Sequence, residues 1–104
     1  MSADSIRILA VDDHPMFREA LAVVLATQQD MSLVAEASNG REAIQQFRHH
    51  RPDITLMDLQ MPGMTGLEAM AAIRTEFPDA KIIILTTYES DVRDAIRWAR
   101  GRTC

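Results

Sequence analysis

Three observations predict a doubly wound α/β fold with a parallel sheet: short runs rich in Ile, Leu and Val recur along the chain, segments of helical period separate them, and three of the runs stop at a polar residue. Strands that alternate with helices build βαβ units, whose sheet is parallel. The stops are Asp12 and Asp13 after Ile8-Leu9-Ala10-Val11, Asp58 after Ile54-Thr55-Leu56-Met57, and Thr86 after Ile82-Ile83-Ile84-Leu85. Ligands of such sheets bind outside the carboxyl ends of the strands, so these residues are expected to converge on one pocket.

Taken in order, Ile6 to Val11 reads as the first strand. Pro15 suits a first helical position, because its fixed φ is helical and its missing N–H costs nothing there. The helix that follows places Phe17, Leu21, Val24 and Leu25 on its inner face and ends near Gln28. Leu33 to Ala37 forms a second strand, and Ser38-Asn39-Gly40 turns it into a helix that buries Ala43, Ile44 and Phe47. Pro52 and Asp53 end that unit, and Ile54 to Met57 is the third strand. The loop from Leu59 to Gly66 contains two glycines and a proline, which implies special backbone geometry beside Asp58. A helix with Leu67, Met70, Ile73 and Phe77 inward comes next. Pro78-Asp79 breaks it, Lys81 to Thr86 is the fourth strand, and a last helix starts near Ser90 with Val92, Ala95, Ile96 and Ala99 inward.

Length and composition bound the function. A chain of 104 residues accommodates one domain, and 47% hydrophobic with 25% charged residues is ordinary for a soluble one. No apolar run approaches the ~20 residues that span a bilayer, and residues 1–5 lack the basic start of a secretory signal. A soluble, cytoplasmic protein without membrane partners is expected. Cys104 is the single cysteine, which excludes an internal disulfide and a cysteine-based zinc site. His14, His49 and His50 do not form a metal-ligand spacing, and His14-Pro15 reads as a turn that starts a helix. The net charge of −4 is uneven, with 14 acidic and 7 basic groups in residues 1–92 against one acidic and four basic in residues 93–104. An acidic body of this kind argues against nucleic acid bound by this chain itself.

The convergent carboxylates carry the chemistry. Like charges a few ångströms apart repel by on the order of several kcal/mol even at an effective dielectric of about 20, so Asp12, Asp13 and Asp58 require a cation. An oxygen-only ligand set with few protein contacts suits Mg²⁺, which retains waters and is commonly shared between carboxylates and a phosphate.

Two strings carry a family resemblance. Val11-Asp12-Asp13-His14-Pro15-Met16-Phe17-Arg18 and Met57-Asp58-Leu59-Gln60-Met61-Pro62-Gly63-Met64-Thr65-Gly66 resemble the receiver domain of bacterial two-component response regulators, of the kind joined to a LuxR-type helix-turn-helix. The likeness runs from about Ser5 to Arg97. It implies a flavodoxin-like, CheY-like sheet of strand order 2-1-3-4 and a signalling switch whose only catalysis is self-phosphorylation and slow hydrolysis of its own acyl phosphate. A sensor histidine kinase is the implied partner. Residue by residue, it implies Asp58 as phosphoacceptor and metal ligand, Asp13 as a direct Mg²⁺ ligand, Asp12 as a supporting ligand through water, Gln60 as a ligand through its backbone carbonyl, and Thr86 as the hydroxyl that meets the phosphoryl group.

The family pattern continues to a fifth strand ending in lysine and a fifth helix, whereas this sequence reads Trp98-Ala99-Arg100-Gly101-Arg102-Thr103-Cys104. Residues 98–104 are therefore read as an atypical tail on a truncated receiver occupying 1–104. Codons for that tail, read two bases on, can spell Gly-Ala-Arg-Ala-Tyr-Leu, which points to a frameshift. Without a fifth strand the fourth becomes an edge, where an apolar Ile82-Ile83-Ile84-Leu85 is expected to promote self-association. Two alternatives remain: a switching-impaired module that only binds or dimerises, and, less well supported in so short a chain, a metal-dependent phosphohydrolase.

Overall fold

The backbone hydrogen-bond demand of the apolar runs is met by a parallel sheet, in a computed structural model that describes residues 5–59, 61–85 and 97. Strand β1 (Ile6–Val11) leads to helix α1 (Pro15–Ala26), β2 (Met31–Ala37), α2 (Gly40–His50), β3 (Ile54–Asp58), α3 (Gly66–Glu76) and β4 (Ile82–Leu85). The strand order is β2-β1-β3-β4, as the resemblance implies, and all pairs are parallel, as the alternation of strands and helices predicts. Between β1 and β2 the register steps from Ile8 opposite Leu33 to Leu9 opposite Ala35, leaving Val34 as a bulge.

Side-chain alternation divides the interior. Ile6, Ile8 and Ala10 of β1 join Ile54, Leu56 and Leu85 beneath α1, which contributes Leu21 and Leu25. Leu9 and Val11 point the other way and meet Met57, Ile82, Ala43 and Phe47 of α2, and Ala69 and Ile73 of α3. The two helices on that second face are joined by a Phe47–Phe77 ring contact at 5.0 Å between centroids and by an Arg48–Glu76 ion pair of 2.8 Å.

Several boundaries and faces differ from expectation. β2 starts at Met31, because Asp30 accepts from Ile6 N–H and so extends the pairing toward the amino end. α1 stops at Ala26, where Thr27 turns both its N–H and its hydroxyl back to Val24. β3 runs one residue further and includes Asp58. Val24 and Leu67, expected inside, are exposed. In α3 the residues that reach the sheet are Gly66, Ala69 and Ile73, a row of small-to-large side chains that lets the helix lie close, and this turns Leu67 outward. Of the predicted last helix only Arg97 is described, as an exposed helical residue, and the rest of it lies outside the described residues.

Thr55, in the middle of β3, is fully buried and its hydroxyl has no hydrogen-bond partner among the described residues. Burying an unpaired hydroxyl is unfavourable, and valine fills the same shape. Thr55→Val is expected to stabilise the fold by about 1 kcal/mol, read as a higher urea midpoint with an unchanged slope.

Candidate metal centre

The fold gathers the acidic residues at the carboxyl end of the sheet. Asp12 and Asp13 follow β1, Asp58 closes the adjacent β3, and the strands are paired up to Val11 opposite Met57. Asp12 and Asp58 are buried, at 1% and 6% exposure, while Asp13 is half-buried. Ligand atoms of Asp12, Asp13, His14 and Asp58 all lie within 4.8 Å of one another.

Backbone contacts hold Asp12 and the segment after Asp58 in place. Asp12 N–H donates to Ala37 O at 3.0 Å, tying the end of β1 to β2, and its carbonyl accepts from Arg18 Nη1 at 3.1 Å. The Asp12 carboxylate accepts from the peptide N–H of His14 at 2.7 Å, a turn that Asp is well suited to make. On the β3 side, Leu59 N–H donates to Leu85 O and Leu59 O accepts from Gly66 N–H at 2.8 Å. The special backbone geometry that the loop's composition implies is found at Gly63, and Gly66 adds a close approach. Gly63 has φ of 80°, where a side chain is strained, and Gly66 faces the Asp58 carbonyl so closely that a Cβ there would overlap it.

Among the described residues, Asp12 Oδ2 and Asp13 Oδ1 are buried with no donor in hydrogen-bond geometry. Orphaned anionic oxygens at the centre of a carboxylate cluster are the signature a cation would satisfy, and an oxygen donor set fits Mg²⁺. Thus Asp12, Asp13 and Asp58, predicted to meet, are brought together. Gln60 and Thr86, predicted to join them, lie outside the described residues.

For His14 the sequence predicts only the start of a helix. The residue does this, as the extended position before Pro15, but its ring also enters the cluster, with Nδ1 2.8 Å from Asp12 Oδ1 and 3.1 Å from Asp13 Oδ1. Its pKa is raised above 6.5, first by the hydrogen bond to Asp12 and then by the negative charge of Asp13. The signal available in the sequence is the spacing: a side-chain turn from Asp12 to the N–H two residues on brings that residue's own side chain back over the carboxylate.

A recess of about 440 Å³ lies at the same end of the sheet, lined by Ser38, Asn39, Gly40, Arg41, Pro62, Gly63 and Met64. None of the clustered carboxylates lines it. No described helix is long and apolar enough to cross a membrane.

Comparison with known proteins agrees with this geometry. The profile of the response regulator receiver domain matches residues 8–100. Over 86 residues the chain is 45% identical to the transcriptional regulatory protein LiaR of Bacillus subtilis, covering 83% of this chain and 41% of LiaR. It is 43% identical to the oxygen regulatory protein NreC of Staphylococcus haemolyticus, covering 82% and 40%. The chain thus spans about two-fifths of the length of the curated relatives it matches. Among solved structures, the signal receiver domain of a NarL response regulator from Mycobacterium tuberculosis superposes with a TM-score of 0.80 at 26% identity, covering 95% of this chain and 99% of that one. A LuxR-family DNA-binding response regulator from Staphylococcus aureus gives 0.72 at 28% identity, covering 94% and 79%.

Proposed function

Because the chain belongs to the response regulator receiver domain family, we propose that it accepts a phosphoryl group from a sensor histidine kinase on Asp58, with Mg²⁺ held by Asp13, Asp58 and the backbone carbonyl of Gln60, and with Asp12 supporting the ion through water. The observation that supports this reading most is the convergence of three carboxylates from two adjacent strands, with two buried oxygens that have no hydrogen-bond donor among the described residues. Bound Mg²⁺ supplies positive charge that offsets the carboxylates and the incoming phosphoryl oxygens.

The chain's own residues then divide the work. Asp58 is the nucleophile: one carboxylate oxygen attacks phosphorus, the P–N bond of the donor phosphohistidine breaks, and the imidazole leaves with the bonding electrons. The product is an acyl phosphate on Asp58, which water later hydrolyses. Burial of Asp58 at the end of β3 orients the carboxylate, and the Leu59 N–H to Leu85 O bond couples its loop to β4. Thr86, the residue after β4, is proposed to donate its hydroxyl to the phosphoryl oxygens and so carry the change to the surface around β4. The proposed setting is cytoplasmic, and the proposed output is control of transcription, which the names of the relatives state for those proteins.

A second reading, a receiver-shaped module that binds or self-associates through β4 without switching, is favoured by the apolar Ile82–Leu85 strand, which stands at the end of the sheet among the described residues. Beryllium fluoride, a phosphoryl mimic, separates the two. Thermal stabilisation that requires both Mg²⁺ and beryllium fluoride is expected for the phosphoacceptor. Its absence, with the chain dimeric by light scattering, would favour the second reading.

A further inference from the structure

One nitrogen atom sits against both carboxylates that follow β1. His14 Nδ1 lies 2.8 Å from Asp12 Oδ1 and 3.1 Å from Asp13 Oδ1, beside the two oxygens, Asp12 Oδ2 and Asp13 Oδ1, that lack a donor meeting hydrogen-bond geometry. The ring bearing that nitrogen has 59% of its side chain exposed, against 2% for Asp12 and 26% for Asp13. Apolar packing therefore does little to hold the ring, and the polar contacts of Nδ1 with the two carboxylates are what keep it inward. Asp12 does not depend on the ring for its orientation, because the peptide N–H of His14 donates to the same Oδ1 at 2.7 Å.

We propose that His14 is a built-in stand-in for the cation: in the metal-free protein its Nδ1–H is hydrogen-bonded to Asp12 and lies against Asp13, and the ring swings to solvent when a divalent ion binds, so that His14 sets the affinity of the site. This inference rests on the cation-site reading above. A nitrogen at these distances fills the space next to both oxygens, and a hydrated ion held by them cannot share it. The contact needs only a hydrogen on Nδ1, which the neutral imidazole can also carry. A ligand role for the ring fits less well, since Mg²⁺ selects oxygen donors. The retained peptide N–H leaves Asp12 aimed at the site after the ring has left, and exposure makes the swing inexpensive.

The test is titration with Mg²⁺ alone by calorimetry, together with thermal melts in chelator and in saturating Mg²⁺, on the native chain, His14→Ala and His14→Gln. His14→Ala is expected to bind Mg²⁺ tighter by a factor on the order of 3, the loss of one competing hydrogen bond. It should melt lower than the native chain in chelator, with the difference shrinking as Mg²⁺ saturates. His14→Gln, which keeps a side-chain donor, should lie nearer the native affinity. Weaker Mg²⁺ binding by His14→Ala would overturn the proposal by making the ring a ligand or a positioning group, and unchanged binding would overturn it by making the ring a bystander. Absence of Mg²⁺ binding in the native chain would remove the cation-site reading and this inference with it.

Discussion

Gly66→Ala is expected to destabilise the protein by about 2 kcal/mol or more, and to weaken Mg²⁺ binding although Gly66 is not a ligand. Gly66 is the first residue of α3, after a capping box in which Thr65 Oγ1 accepts from Glu68 N–H at 3.2 Å and Glu68 Oε1 accepts from Thr65 N–H at 2.9 Å. In an ordinary helix alanine would gain up to about 1 kcal/mol over glycine. Here the new Cβ meets backbone: the Asp58 carbonyl oxygen in overlap, and Asp58 C and Leu59 Cα at 3.0 Å. None of these atoms can rotate away. Either α3 lifts, loosening Ala69 and Ile73 from the sheet, or the end of β3 moves and takes the Asp58 carboxylate with it. Urea denaturation and Mg²⁺ titration of the variant should therefore deteriorate together. A variant as stable as the native chain would mean that the close approach of α3 to Asp58 does not exist in solution.

Asp13→Asn is expected to have effects of opposite sign on stability and on metal binding. It keeps shape and removes one charge from a cluster whose ligand atoms lie within 4.8 Å. In chelator the variant should be more stable by on the order of 1 kcal/mol, because relief of like-charge repulsion outweighs the weaker attraction of a neutral amide for the His14 ring. A melting temperature higher by several degrees would register this in a domain of this size. Added Mg²⁺ should raise the melting temperature of the native chain, because an ion that binds only the folded state stabilises it by mass action. The same addition should leave Asp13→Asn almost unmoved. A site optimised for stability would show the reverse order in chelator, so the comparison tells a functional cluster from a structural one.

Much of this arrangement is legible in the sequence, and for physical reasons. Strand positions follow from apolar runs that must be buried on both faces, and the polar stops Asp12, Asp13 and Asp58 are forced to one end of the sheet because every strand is parallel. Which helical residues face inward is less legible. Leu67 and Val24 fit the period, yet both are exposed, Leu67 because α3 docks closely through Gly66 and Ala69. Period identifies a stripe, and tertiary distance decides its edges. The ring of His14 escapes for a similar reason: its part in the cluster comes from a hydrogen bond two residues long, which local pattern reads only as a turn. The positive φ of Gly63 is foreshadowed by composition, whereas the contact of Gly66 with Asp58 spans a loop and becomes visible only when the elements pack.

The most direct test of the phosphoacceptor reading is the intact mass of the native chain and of Asp58→Asn after incubation with a small-molecule phosphodonor, with and without Mg²⁺. A single phosphoryl adduct on the native chain, formed only with Mg²⁺ and missing from Asp58→Asn, is the expected result. An adduct that persists in Asp58→Asn, or no adduct on a native chain that demonstrably binds Mg²⁺, would contradict it.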